Sequence, residues 1–284
     1  MPELPEIEIV KRSLVKSVKN AKIIGIKIKN RRLRYQIPNT FSKDLLNEKI
    51  INISRRSKYL IFKLEKKILL VHLGMSGKFL LKTKRDKELF KTSFYYDLNI
   101  PKKHNHIYFI LNNNLILIYN DVRRFGFLKI FKTKNLSKVI FLTKLGVEPL
   151  SKKFSKKYFS TFVKKRKKNI KNLLMDQTFV CGLGNIYVNE VLNRSGVSPR
   201  RISSSLVKKN GKPGTQLELI VDQIREVLSE AIDAGASTLQ DFRGVSGDDD
   251  LGWFPVNFRV YGREGEVCLK PGCSGVVRRI VQSN

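Results

Sequence analysis

The chemistry-bearing residues are densest at the start of the chain, Met1-Pro2-Glu3-Leu4-Pro5-Glu6. Removal of an initiator Met ahead of Pro leaves Pro2 with a free secondary amine. An α-amino group titrates at about 7.7–8.0, against about 10.4 for lysine, so a useful fraction is unprotonated and nucleophilic at neutral pH. Such an amine can attack an electrophilic sugar carbon and hold it as an iminium. Glu3 adjoins this nucleophile as an acid or base, and Glu6 lies one turn further on. Taken alone, the same six residues also describe a capped helix start.

Other reactive groups are few. Cys268 and Cys273 form one Cys-x4-Cys pair, and Cys181 stands apart ahead of Gly182-Leu183-Gly184-Asn185. Three cysteines are too few for a disulfide framework. Cys181 reads as a packed core thiol. The glycine turn suits a phosphate only if exposed N–H groups at the next helix start face it. Lys164-Lys165-Arg166-Lys167-Lys168 is the densest basic run, either a solvated face or a phosphate-binding strip.

These residues must be held by elements that the hydropathy pattern already outlines. Helical spacing runs from Glu6 to Val18 after the Pro-rich start. Strand-like segments then follow at Ile23–Ile28, Ile50–Ser54, Tyr59–Leu64, Ile68–Leu73, Ile107–Leu111, Leu115–Tyr119 and Phe127–Phe131. They predict an antiparallel sandwich or barrel. From about residue 136 the period becomes helical, near 155–165, 169–176, 185–194 and 215–234. A Gly- and Asp-rich loop, Gly244–Gly252, precedes a short strand at Phe258–Tyr261, and Cys268–Val281 reads as the first strand of a small hairpin. The expected division is 1–135, 136–235 and 236–284.

The 284 residues carry 56 Lys+Arg against 24 Asp+Glu, a net charge of +32 that excludes a typical neutral enzyme. Residues 1–194 hold 44 basic and 13 acidic side chains (+31), and residues 195–284 hold 12 and 11 (+1). Such a surplus attracts polyanions, nucleic acid first and an anionic membrane surface second. An AT-rich genome accounts for part of it, since 33 of 37 lysines precede residue 195. No secretory signal and no apolar run near the ~20 residues of a membrane span are visible, so the chain reads as cytoplasmic, without a membrane partner.

Eight motifs in register resemble the bacterial formamidopyrimidine-DNA glycosylase family. They are the opening hexapeptide, Arg55-Arg56-Ser57-Lys58-Tyr59-Leu60, His72-Leu73-Gly74-Met75-Ser76-Gly77, Lys103-His104-Asn105-His106, Asp121-Val122-Arg123-Arg124-Phe125-Gly126, Leu145-Gly146-Val147-Glu148-Pro149-Leu150, Gly182-Leu183-Gly184-Asn185-Ile186-Tyr187 and Val260-Tyr261-Gly262-Arg263-Glu264-Gly265. The resemblance implies an α+β multidomain fold: an N-terminal β-sandwich, a helix-two-turn-helix domain and a C-terminal zinc-finger hairpin. It implies a monomer that excises oxidised purines from damaged duplex DNA and cleaves the abasic strand by β,δ-elimination. By motif matching, Pro2 is the Schiff-base nucleophile, Glu3 the proton donor in base excision and Lys58 the donor for β-elimination. Met75, Arg123 and Phe125 match a wedge that fills the gap left by an extruded nucleotide, while His72, His104, Arg166 and Asn185 match backbone-binding positions.

The finger departs from the pattern. Cys268 and Cys273 supply one pair of the four cysteines that hold the family's structural zinc. Two thiolates do not close a tetrahedral site, so an incomplete, poorly formed finger is expected. Two other readings stay open: an endonuclease VIII type acting on oxidised pyrimidines, and a non-catalytic damaged-DNA-binding protein. Leu4 and the complete wedge argue against the first, and the incomplete finger makes the second plausible.

Overall fold

The computed structural model describes residues 2–83, 89–90, 101–235 and 258–282. Two compact units divide them. One spans Met1–Thr143; the other holds Lys144–Asp233 together with the C-terminal stretch.

The first unit begins with α1 (Leu4–Val18), whose Leu4, Ile7, Val10, Leu14 and Val18 are buried at the three- and four-residue spacing of one helix face. Helix α1 packs on β2 (Ile50–Arg56) and β3 (Tyr59–Leu64). These two strands, β4 (Lys67–His72) and β9 (Phe127–Lys132) form an antiparallel sheet in the order β2-β3-β4-β9. The second sheet has the order β1-β7-β8-β5-β6, from β1 (Ile23–Ile28), β5 (Gly77–Thr83), β6 (Leu89–Phe90), β7 (Asn105–Leu111) and β8 (Leu115–Asp121). A short helix α2 (Phe41–Leu45) lies between β1 and β2 in the chain.

One apolar cluster draws on both sheets and on α1: Leu14, Leu60, Phe62, Leu69, Val71, Phe79, Leu81, Phe109 and Leu117 all belong to it. The run Ile68-Leu69-Leu70-Val71 is apolar on both faces for a reason. Leu69 and Val71 point into that core, while Ile68 and Leu70 join Ile61, Phe127 and Val139 in a second cluster, against which Phe141 and Leu142 of α3 (Ile140–Thr143) pack.

The strands expected in this unit are present with small shifts at their ends, and β5 and β6 are additions. The Gly77 start and central Phe79-Leu80-Leu81 run of β5 gave no alternation to separate it from a buried turn.

The second unit is helical: α4 (Lys156–Val163), α5 (Ile170–Leu174), α6 (Asn185–Arg194) and α7 (Thr215–Asp233). Ser155 and Asn169 cap α4 and α5 with side-chain oxygens that accept N–H bonds from Tyr158 and Asn172. Helix α7 packs on α4 and α6 and buries Leu217, Ile220, Ile224, Leu228 and Ala231 along one stripe.

Two expectations near the C-terminus are corrected. Phe258–Tyr261 forms a bend and turn rather than a strand. The N–H groups of Arg259, Val260 and Tyr261, which a ladder would need, bond instead to the buried Glu190 carboxyl at 2.7–3.0 Å. Cys268–Val281 is not one strand but contains the reversal itself. Val267 bridges Val276, Cys268 N–H bonds to Gly275 O, and Gly265 N–H bonds to Val277 O. Among the described residues this reversal carries an isolated bridge and no strand ladder, as an incomplete finger would. The Gly244–Gly252 loop lies outside the described residues.

Candidate functional site

The head of α1 is closed by a capping box made of the two acidic residues. Glu3 is the N-cap, its side chain accepting the Glu6 N–H, while the Glu6 carboxyl accepts the Glu3 N–H at 2.7 Å. Pro2 and Glu3 are buried, and Glu6 is fully so. Glu6 thus acts on Glu3, fixing the backbone that carries Pro2 and the Glu3 side chain.

Helix α1 packs against the β2–β3 hairpin, and Lys58 sits in that hairpin's two-residue turn, 6% exposed. Ser57, the first turn residue, takes φ +55°, the left-handed region. Arg55 braces the turn: its guanidinium donates to Ser57 O at 3.0 Å and pairs with Glu8 of α1 at 3.1 Å. A lysine that reads from sequence as an ordinary strand-end residue is therefore buried on a braced turn.

His72 ends β4 opposite Tyr59 on one side and Phe127 on the other. Its ring stacks on Phe127, with centroids 5.7 Å apart and planes 12° off parallel. Burial, then the nearby Lys58 and Arg34 charges, push its pKa down to about 4. The ring is neutral at pH 7, and its Nδ1 accepts the Gly74 N–H at 3.0 Å. The proton therefore sits on Nε2, which is available to an anionic oxygen.

The three wedge candidates come together on two turns. Met75 lies between β4 and β5; Arg123 and Phe125 lie between β8 and β9. Met75 is 40% and Phe125 46% exposed, so neither belongs to the core. The Arg123 guanidinium lies 4.7 Å from the Phe125 ring centroid. His104 ends a short 3-10 turn just before β7 and is half-buried; burial and the neighbouring Lys103 hold its ring below the usual histidine range.

In the second unit, Arg166 is exposed just beyond α4, its guanidinium 4.9 Å from the Phe162 ring. Phe162 stacks on Phe179, and Phe179 on Tyr158. Asn185 is the exposed first residue of α6, behind the N-cap Gly184. Cys181 is fully buried, as a core thiol should be.

Sequence reasoning missed the groups that position this set. Asp121 and Ser76 lie inside the matching motifs without an evident task. Gln177 has no motif of its own, yet it braces the turn before α6: its amide donates to Met175 O and Leu183 O and accepts the Gly182 N–H, all at 2.8–2.9 Å. Asp121 and Glu190 carry no signal of their own in the sequence, and their burial becomes visible only in the fold.

Cys268 and Cys273 flank a turn closed by the Cys273 N–H to Lys270 O bond. Among the described residues, no cluster of three or more His, Cys, Asp or Glu side chains exists that could hold a metal ion. The pair alone does not fit a tetrahedral structural zinc. Among the same residues, no helix is long and apolar enough to cross a membrane.

A chain with this two-sheet unit and helical unit is matched by two family models. The formamidopyrimidine-DNA glycosylase N-terminal domain matches residues 1–128, and the formamidopyrimidine-DNA glycosylase H2TH domain matches residues 145–243. The chain belongs to the formamidopyrimidine-DNA glycosylase family. It is 41% identical to the formamidopyrimidine-DNA glycosylase of Azorhizobium caulinodans and 42% identical to that of Bartonella tribocorum, in each case over 100% of this chain and 96% of the relative. Two solved Lactococcus lactis structures are similar as well. A variant Fpg with Fapy-dG-containing DNA gives TM-score 0.83 at 33% identity; Fpg with abasic-site DNA gives 0.81 at 32%. Each covers 98% of this chain and 94% of the other.

Proposed function

We propose that the protein is a base-excision repair enzyme, a DNA glycosylase and abasic-site lyase that removes oxidised purines from duplex DNA through a Schiff base at Pro2. The observation that carries this reading is the Glu3–Glu6 capping box at the buried head of α1, packed on the hairpin that bears Lys58. It sets an amine, a carboxyl group and a lysine in one unit with the exposed wedge.

The roles follow from the residue types. The Pro2 nitrogen attacks C1′ as the C1′–base bond breaks and Glu3 supplies a proton to the leaving base; the sugar ring then opens at C1′–O4′, O4′ taking up the proton the amine gives, and the nitrogen–C1′ bond becomes an iminium. The iminium acidifies the C2′ hydrogen. Its removal expels the 3′ phosphate with the C–O bond electrons, and Lys58 serves as proton donor for this elimination. Met75 and Phe125 fill the vacated stack while Arg123 bonds to the orphaned base. His72, His104, Arg166 and Asn185 hold phosphates, His72 through its neutral Nε2–H. Glu6 supports Glu3.

The division we favour is a catalytic β-sandwich over 1–135, a helix-two-turn-helix domain over 136–235 and a finger region over 236–284, with the protein acting as a cytoplasmic monomer. Zinc in that region needs two ligands besides Cys268 and Cys273.

The test is borohydride trapping on duplexes bearing 8-oxoguanine, an oxidised pyrimidine or an abasic site. A covalent adduct that disappears in Pro2→Gly is the expected result. Tight binding with no adduct on any of the three overturns the lyase reading.

A further inference from the structure

The two turns that carry the wedge candidates are joined to each other by hydrogen bonds. Ser76 Oγ donates to Asp121 Oδ1 at 2.6 Å and accepts the Arg123 N–H at 2.9 Å. Its single proton and one lone pair are thereby engaged, one by the last residue of β8 and the other by a backbone N–H two residues into the β8–β9 turn. The buried Asp121 carboxyl closes the other side: Oδ2 accepts the Gly126 N–H at 2.8 Å and the Tyr119 hydroxyl at 3.1 Å. His106, also buried, bonds through Nε2 to Asp121 O at 2.7 Å. The backbones touch as well. Gly74 takes φ +65°, and a Cβ there would lie 2.5 Å from both Gly126 N and the Phe125 carbonyl carbon, so the Met75 turn rests directly on the Phe125 turn.

We propose that the Ser76 hydroxyl is a latch, a positioning residue that makes the Met75 turn and the Arg123–Phe125 turn enter the base stack as one rigid body. The inference rests on the proposed wedge role of these three residues and deepens it. Extruding a nucleotide costs a few kcal/mol, which the wedge repays only if its parts arrive together. Two independently mobile turns would each lose conformational freedom on insertion, whereas a latched pair has already lost it in the folded protein. Serine suits the task because it bridges a carboxyl and a backbone N–H with one small group. Alanine at this position keeps the volume and removes both bonds.

The experiment uses the full chain and a duplex with a stable abasic analogue opposite 2-aminopurine, whose fluorescence rises when it unstacks. Ser76→Ala should slow that rise by about tenfold, the effect of roughly one lost hydrogen-bonded link, with a fall of only a few degrees in melting temperature. Ser76→Thr, which keeps the hydroxyl, should reverse that fall together with the rate. A double-mutant cycle reads the coupling itself. With Ser76 present, Met75→Ala and Phe125→Ala should be non-additive, the pair scarcely slower than the worse single change; in the Ser76→Ala background they should become additive. A Ser76→Ala rate within twofold of wild type overturns the latch. So do additive effects in both backgrounds, a rate loss that tracks a fall in melting temperature without rescue by threonine, or a wild-type protein that never exposes the base. A wild type that exposes the base yet gives no borohydride adduct at a true abasic site sinks the lyase reading and leaves the latch standing.

Discussion

The two units place their functional side chains by contacts of different range. In the helical unit the positioning contacts are local: Arg166 stacks on Phe162 four residues earlier, and Gln177 bonds to groups within six residues of itself to shape the approach to Asn185. In the two-sheet unit the Glu3–Glu6 box and the Arg55 bond to Ser57 O are local too, but further contacts join distant parts of the chain. Ser76 reaches Asp121 and Arg123 across 45 and 47 residues, and Arg55 reaches Glu8 across 47. Damage in the helical unit should therefore stay confined to the one group affected. Damage in the two-sheet unit should spread, because each buried polar hub serves several segments.

The largest contrast between the units should be in chemistry. Glu3→Gln retains the volume of the N-cap but cannot deliver a proton, so base excision should fall by about 10²–10⁴-fold, the usual weight of a general acid. Cleavage of a preformed abasic site should fall less, since that substrate has no base to remove. Arg166→Ala in the helical unit should leave the single-turnover rate at saturating DNA intact, weakening binding and lowering the salt slope of affinity by about 1. Equal losses of single-turnover rate in the two variants would erase the distinction between a catalytic and an anchoring unit.

Stability offers the next contrast. Asp121→Ala removes the acceptor for three donors in the buried middle of one unit, Ser76, Tyr119 and Gly126. It should cost about 3 kcal/mol and lower the melting temperature of that unit as a whole. Glu190→Ala also strips three donors, the N–H groups of Arg259, Val260 and Tyr261, but these lie on a C-terminal segment that water can reach once released. Hydrogen exchange should show residues 259–261 losing protection while α4 to α7 keep theirs. Loss of protection throughout those helices would make the anchor as far-reaching as Asp121.

Sequence legibility divides by the range of the contact, in both units. Residue periodicity located the helices, because an amphipathic stripe such as Leu217, Ile220, Ile224 and Leu228 needs only its own segment to be recognised. The candidate site residues are picked out by the motifs, and their types explain why: an amine, acids, a lysine and exposed donors. What the sequence did not display is what lies between them. Ser76, Asp121 and Glu190 look like ordinary polar residues until partners 45 or more residues away are brought alongside. The expected strand at Phe258–Tyr261 failed for that reason, since nothing local announces that Glu190 takes its N–H groups. The β5 strand escaped because Phe79, Leu80 and Leu81 are all buried, which removes the alternation that marks a half-exposed strand.

Acid sharpens the comparison without any substitution, because all three histidines of the chain, His72, His104 and His106, belong to the two-sheet unit. His72 has a folded pKa of about 4 against an ordinary 6.5. Between these values the unfolded chain binds more protons than the folded one, so stability is full above pH 6.5 and is lost as the pH falls toward 4. From this group alone the loss at pH 5 is about 2 kcal/mol. His72→Gln should flatten the melting temperature of the two-sheet unit across this window. A pH 5 transition in which the helical unit melts first would contradict the assignment.

The smallest effect concerns the turn that carries Lys58. Ser57 holds φ +55° at the first position of a two-residue hairpin loop, where a side chain crowds its own backbone and glycine does not. Ser57→Gly should therefore raise stability by about 1 kcal/mol, less whatever the buried serine side chain contributes. The gain matters less than what accompanies it. The Arg55 bonds to Ser57 O and Glu8 use the backbone carbonyl and another side chain, so they survive the change and should keep Lys58 in place. Abasic-strand cleavage by Ser57→Gly should then match wild type within about twofold while the melting temperature rises. A variant that melts higher but cleaves tenfold more slowly would mean that the strained serine itself, and not the long-range Arg55 brace, holds the lysine.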